Sequence, residues 1–200
     1  LISLFFCKDN ALLNTIHIKM IFFYSSERNI LQNYYFSKKM YFCFLNTHRY
    51  IMVIFLIGYM GSGKTTYGRI VAKKLNMSFV DMDEEIERQQ GKKVSEIFAD
   101  SGENYFRELE KELLHQFTDS DNVIISTGGG VPCHFDNMEV MNRLGTTIYI
   151  HLTTKQLADN LRQTNISKRP ILASLQNDDL ETFIAENLSK RESYYLQAHH

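Results

Sequence analysis

Cysteine is scarce in these 200 residues: Cys7, Cys43 and Cys133 are odd in number and far apart. That pattern excludes a disulfide framework and a zinc-ligand cluster, and it fits a reducing cytoplasm. The seven histidines form neither an H-E-x-x-H pattern nor a Cys/His cluster. No apolar run reaches the roughly 18 residues that a membrane-spanning helix needs. The opening "LISLFF" lacks the basic flank and small-residue cleavage site of a secretory signal. Net charge is only −1, so no broad basic surface is offered to nucleic acid. Glycine and proline are wholly missing from residues 1–51, which carry six basic against two acidic side chains. That stretch is crowded with Phe, Tyr, Ile, Leu, Asn and Lys, and no steady period of 3.6 or 2 runs through it. It reads as an N-terminal extension without assigned function, with the character of translated AT-rich sequence ahead of a start codon at Met52.

What is present begins at Met52. The chain is 44% hydrophobic, enough for one α/β core in residues 52–200. "MVIFLIG" (52–58) is a short apolar run of the kind that forms a buried parallel strand. From Lys64 the spacing turns helical, with Tyr67, Ile70, Val71 and Leu75 on one face. "SFVDMD" (78–83) predicts a second strand, and "EEIERQQG" a helix closed by Gly91. "VSEIFADSG" predicts a short helix and a turn, and residues 104–117 an amphipathic helix with Phe106, Leu109, Leu113 and Phe117 in one stripe. Strands follow at 122–127 and 146–152, and helices at about 154–163 and about 178–190. Strands separated by helices imply parallel pairing, right-handed crossovers and helices on both sheet faces.

The chemistry lies at strand ends. Gly58-x4-Gly63-Lys64-Thr65 matches the phosphate-binding pattern G-x-x-x-x-G-K-[ST], between a predicted strand and a predicted helix. Glycines let the backbone curl so that N–H groups face phosphate oxygens, and the helix start adds its positive dipole end. Lys64 then reaches the β- and γ-phosphates and the Thr65 hydroxyl holds Mg²⁺, while Thr66 reads as structural. Asp81 and Asp83 in "FVDMDEE" fall on one side of a strand by period two. One suits Mg²⁺ and the other a substrate hydroxyl, although Asp83 reads equally well as a helix N-cap. "STGGGVP" (126–132) follows a strand directly. Its three glycines are either a flat floor for a ligand or a tight turn. Arg107, Arg162, Arg169 and Arg191 are singly ordinary surface residues. Together, in a phosphate enzyme, they are candidates for gripping carboxylate and phosphate. "RQTNISKRP" would then be a closing lid.

"GYMGSGKTTYGR", "FVDMDEEIE", "GENYFRELE", "STGGG" and "KRPIL", in this order, resemble the shikimate kinase family of small P-loop kinases. The resemblance runs from Met52 to the C-terminus. It implies a three-layer α/β/α sandwich with a parallel sheet of order 2-3-1-4-5, whose fifth strand is expected to be missing because the chain reads as truncated at its C-terminus. It implies phosphorylation of the 3-hydroxyl of shikimate by MgATP in aromatic amino-acid biosynthesis. In its light Lys64, Asp83 and Arg169 form the catalytic set. Gly61, Ser62, Gly63, Lys64, Thr65 and Thr66, with Arg162 on the adenine and Arg169 from the lid, hold ATP. Asp83, Arg107, Gly128, Gly129, Gly130 and Arg191 hold shikimate, and Thr65 with Asp81 holds Mg²⁺. Arg191 is followed by "ESYY" where the family usually has a Pro-Leu-Tyr-like run, so its match is weaker than that of Arg107. A cytoplasmic monomer without nucleic-acid or membrane partners is expected. The alternatives are a gluconate or nucleoside monophosphate kinase, or a silent nucleotide-binding module.

Overall fold

The computed structural model describes residues 2–7, 17–22, 52–163 and 180–200. Two compact units divide the chain, one within Leu1–Tyr50 and the other spanning Ile51–His199. The first contains strands β1 (Ile2–Cys7) and β2 (His17–Phe22), paired antiparallel from Ile2↔Phe22 to Cys7↔His17. The sequence showed no period there. Six-residue strands are too short to establish one, and their β-branched and aromatic content is the surviving signal.

In the second unit, β3 (Val53–Ile57), β4 (Ser78–Asp81), β5 (Val123–Ser126) and β6 (Thr146–Tyr149) form a parallel sheet of order β4-β5-β3-β6. By first appearance in this unit the order is 2-3-1-4, which agrees with the first four strands of the expected sheet. Every residue of β3 and β5 is buried, as continuous apolar strands require when helices cover both faces. The helices are α1 (Lys64–Leu75), α2 (Met82–Gln90), α3 (Val94–Leu114), α4 (Asn137–Leu144), α5 (Thr154–Gln163), α6 (Leu180–Ser189) and α7 (Glu192–Tyr195). Among the described residues no helix is long and apolar enough to cross a membrane.

Three local expectations change. The buried face of α1 is Lys64, Gly68, Val71 and Ala72, while Ile70 is 45% exposed. Gly68 decides this: a Cβ there would meet Phe79 Cε2 at 2.5 Å and Leu56 Cδ1 at 3.1 Å. A bare backbone therefore lies against the sheet where an apolar stripe was expected. Second, β4 stops at Asp81, so Met82 and Asp83 belong to α2. Third, α3 ends at Leu114, and Phe117 beyond it meets Phe55 edge-on, centroids 6.5 Å apart. The expected turn inside α3 is present as a kink at Gly102, with φ 81° and ψ 173°.

Gly145, between α4 and β6, lies against the first residue of the central strand. A Cβ there would collide with the Val53 carbonyl oxygen and stand 2.8 Å from Val53 Cβ. Backbone cannot yield as a side chain can, so Gly145→Ala should cost about 1–3 kcal/mol. Thermal unfolding should then fall by roughly 2–10 °C for a chain of this size. An unchanged midpoint would show that β3 shifts freely.

Candidate active site

The turn between β3 and α1 supplies the first wall. Gly61 (φ 82°) and Gly63 (φ 86°) take left-handed backbone that side chains disfavour. A Cβ on Gly61 would also strike Leu161 Cγ of α5 at 2.9 Å. Asn160 of α5 donates to the Gly61 carbonyl at 2.9 Å, which pins the turn from outside. Lys64 is 8% exposed, and its Nζ donates to the carbonyls of Gly58 (2.8 Å) and Tyr59 (3.0 Å). No side chain caps the start of α1, so its first N–H groups keep their donor capacity for an anion. Ser62 Oγ, 1% exposed at the residue level, has no hydrogen-bond partner among the described residues. The turn thus gathers buried donors of the kind that a phosphate cradle needs.

Beside it, Thr65 Oγ1 donates to Asp81 Oδ2 at 2.6 Å and lies 3.4 Å from Ser126 Oγ at the end of β5. The other carboxylate oxygen of Asp81 accepts from the N–H groups of Asp83 (3.1 Å) and Glu84 (3.4 Å). Asp81 is thus the N-cap of α2, the role that had been weighed for Asp83. It is the last extended residue, and the cap goes to the residue before the first helical one. Hydroxyl and carboxylate oxygens are the hard donors that Mg²⁺ takes beside phosphate oxygens, so this pair fits such an ion.

The second wall rises from α3, which presents Glu103, Arg107 and Glu110 on one face. Arg107 Nη2 donates to Glu103 Oε1 (2.8 Å) and Nη1 to Glu110 Oε2 (2.6 Å). Its side chain is 11% exposed. Burial alone would lower the Arg107 pKa, but the two carboxylates outweigh it and raise the value. Glu110 is 1% exposed, and its Oε1 has no partner among the described residues. Burial pushes its pKa up to about 7 against the pull of Arg107, with the Asp83 charge adding to the rise.

The glycine triplet is the floor between these walls. None of the three has positive φ, so their backbone conformation does not demand glycine. Space does. A Cβ on Gly128 would stand 2.6 Å from Glu110 Oε1 and 2.9 Å from Asp83 Oδ1. One on Gly130 would be within 2.8 Å of three guanidinium atoms of Arg107. One on Gly129 would be 3.5 Å from Gly58 O and Met60 N of the cradle and 3.8 Å from Arg191 Nη1. The bare floor therefore touches the acidic pair, both arginines and the phosphate turn at once.

A family model described as shikimate kinase matches residues 60–200. A shikimate kinase of Parabacteroides distasonis is 48% identical over 145 residues, 72% of this chain and 83% of that protein. The crystal structure of shikimate kinase from Bacteroides thetaiotaomicron is 47% identical with TM-score 0.70, covering 74% of this chain and 84% of that one. The shikimate kinase of Acinetobacter baumannii, solved in complex with shikimate, is 31% identical with TM-score 0.67, covering 74% and 81%. The chain belongs to the shikimate kinase family.

Of the residues singled out from the sequence, Gly61, Ser62, Gly63, Lys64, Thr65, Asp81, Asp83, Arg107, Gly128, Gly129, Gly130 and Arg191 are gathered at the carboxyl ends of the strands. Asp83 arrives there from the first turn of α2 rather than by strand alternation, which is a correction to the period-two reading. Thr66 is exposed on the first turn of α1. Arg162 lies exposed near the end of α5, the helix packed on the phosphate turn, with Nη1 donating to Asp159 at 3.1 Å. Arg169 lies outside the described residues.

Four contributors escaped the sequence reading. Ser126 and Asn160 touch the turn through single hydrogen bonds that leave no pattern. Tyr195 is fully buried and donates to the Gly129 carbonyl at 2.6 Å. Glu110 was visible as the acidic end of F-R-x-x-E, an i,i+3 partner for Arg107 on a helix.

The raised pKa of Glu110 makes a stability prediction. The folded chain holds this proton more tightly than the unfolded one. Its contribution is full below the ordinary 4.5 and is lost as pH rises through about 7. Glu110→Gln cannot ionise and should lack this slope. From pH 4.5 to pH 8 the parent should lose on the order of 3 kcal/mol relative to the variant, read from urea midpoints. A constant difference between the two chains would contradict the assigned burial effect.

Proposed function

We propose that the chain transfers the γ-phosphoryl group of ATP to the 3-hydroxyl of shikimate, giving shikimate 3-phosphate and ADP. Family membership supports this reading, and the observation that carries it to the residues is the glycine floor. Gly128, Gly129 and Gly130 touch an acidic side chain, two arginines and the phosphate turn together. That combination suits a compact hydroxylated carboxylate lying flat beside ATP.

In this reading the N–H groups of the turn from Gly61 to Thr66 and the Lys64 ammonium hold the β- and γ-phosphates. Thr65 and Asp81 would hold Mg²⁺, which would supply positive charge against the charge that develops on the phosphate. Arg191 and Arg107 take the shikimate carboxylate. Arg107 enters already neutralised by Glu103 and Glu110. Among the described residues no carboxylate comes within ion-pair distance of Arg191, which therefore brings the uncompensated charge. Asp83 orients the accepting hydroxyl and takes its proton as the new oxygen–phosphorus bond forms and the bond to ADP breaks. Arg162, on the helix behind the turn, lies against the adenine. Arg169 is assigned the stabilisation of the transferring group.

ADP release measured over shikimate, gluconate and nucleoside monophosphates should respond to shikimate alone. Turnover of the other two without shikimate would overturn the acceptor. Asp83→Asn should cut kcat by about 10²–10⁴-fold while ATP affinity stays within about twofold, because the role assigned to Asp83 is toward the acceptor hydroxyl rather than the nucleotide. Full turnover in that variant would remove Asp83 from the chemistry.

A further inference from the structure

Arg107 and Arg191 are held by opposite means. Two carboxylates clamp Arg107. Arg191 is flanked instead by aromatic residues. Its guanidinium carbon lies 5.7 Å from the ring centroid of Tyr59, and its charge opposes the burial that raises the Tyr195 hydroxyl pKa. Tyr195 in turn donates to the Gly129 carbonyl at 2.6 Å, so the same tyrosine fixes the floor beside Arg191.

Tyr59 belongs to the phosphate turn. It follows Gly58, and its carbonyl accepts from Lys64 Nζ at 3.0 Å and from the Ser62 N–H at 3.2 Å. Its side chain is 2% exposed. Burial raises the Tyr59 hydroxyl pKa, opposed by the nearby Arg191 charge. One residue thus contributes its backbone to the grip on phosphate and its ring to the seat of the second arginine. An aromatic face attracts a guanidinium without neutralising its charge, whereas a carboxylate in that place would compete with an anionic ligand. Tyrosine here orients Arg191 and leaves it able to bind an acid.

We propose that Tyr59 is a positioning residue for Arg191, holding its guanidinium by the ring face so that it meets the carboxylate of the acceptor beside the phosphate turn. The inference rests on the reading of Arg191 as a carboxylate-binding residue, and its test separates the two.

Tyr59→Leu keeps the backbone carbonyl and removes the ring. It should raise the KM for shikimate about tenfold, a larger factor than it changes kcat or the KM for ATP. Tyr59→Phe, which keeps the ring face, should bring the KM for shikimate back toward that of the parent. Arg191→Ala should raise it by about a hundredfold. In the Arg191→Ala background, Tyr59→Leu should add less than about twofold, because its effect passes through the missing guanidinium. Unfolding midpoints identify a variant that does not fold, in which case Tyr59→Met takes the place of Tyr59→Leu. Additive effects in the double variant overturn the proposal, as does a Tyr59→Phe chain as impaired as Tyr59→Leu. If Arg191→Ala raises the KM and Tyr59→Leu does not, only the positioning role falls. If Arg191→Ala leaves it unchanged, the carboxylate reading of Arg191 falls and the positioning role with it.

Discussion

Three missing side chains at residues 128–130 set the constraint on which the site depends. Each would-be Cβ points at a different functional group: Gly128 at Glu110 and Asp83, Gly129 at the phosphate turn and Arg191, Gly130 at Arg107. Fill Gly128 or Gly130 and a wall must retreat from the floor, whereas Gly129 stands at ordinary contact distance from the phosphate turn. Close packing of this kind is stiff, because a guanidinium clamped by two carboxylates cannot move aside without breaking its own bonds. The glycine backbone therefore meets the Glu110, Asp83 and Arg107 side chains directly, and in the proposed reading that closeness keeps a phosphoryl group and its acceptor in register.

Electrostatic organisation follows from the same closeness. Arg107, Glu103 and Glu110 form a partly buried network in which one cation faces two anions. Glu110 bears the strain of that burial, with one oxygen satisfied by Arg107 and the other facing the floor. Asp81 divides its two oxygens between the cap of α2 and the Thr65 hydroxyl. A single residue thereby ties the start of a helix to the side of the phosphate turn, and a cap that stabilises local structure also fixes a candidate metal ligand.

The sheet was legible because its signal is local. Continuous apolar runs such as Val53–Ile57 mark buried parallel strands wherever they occur, and the helices between them force parallel pairing. Misreadings arose where one residue served two elements or where contact came from far away in sequence. Asp83 was placed on a strand because "FVDMD" alternates, yet the Asp81 side chain captures the N–H groups that follow and starts the helix at Met82. Ile70 was placed in the core because the helical count put it there. The face that turns inward is centred on Gly68, whose value lies in what it lacks.

By itself the sequence determined the phosphate turn, since glycine spacing, lysine and the strand–helix boundary lie within a dozen residues and the backbone physics is local. It also determined parallel pairing, through the alternation of strands and helices, whereas the strand order was implied by the resemblance to the family. Only the tertiary structure decided why Gly128 and Gly130 are needed, because the atoms a side chain there would strike come from α2 and α3. It alone decided that Glu110 is buried with a raised pKa, and that Arg191 rests on the ring of Tyr59. Burial and ring contact are properties of neighbours brought together by folding, and no spacing along a single chain records them.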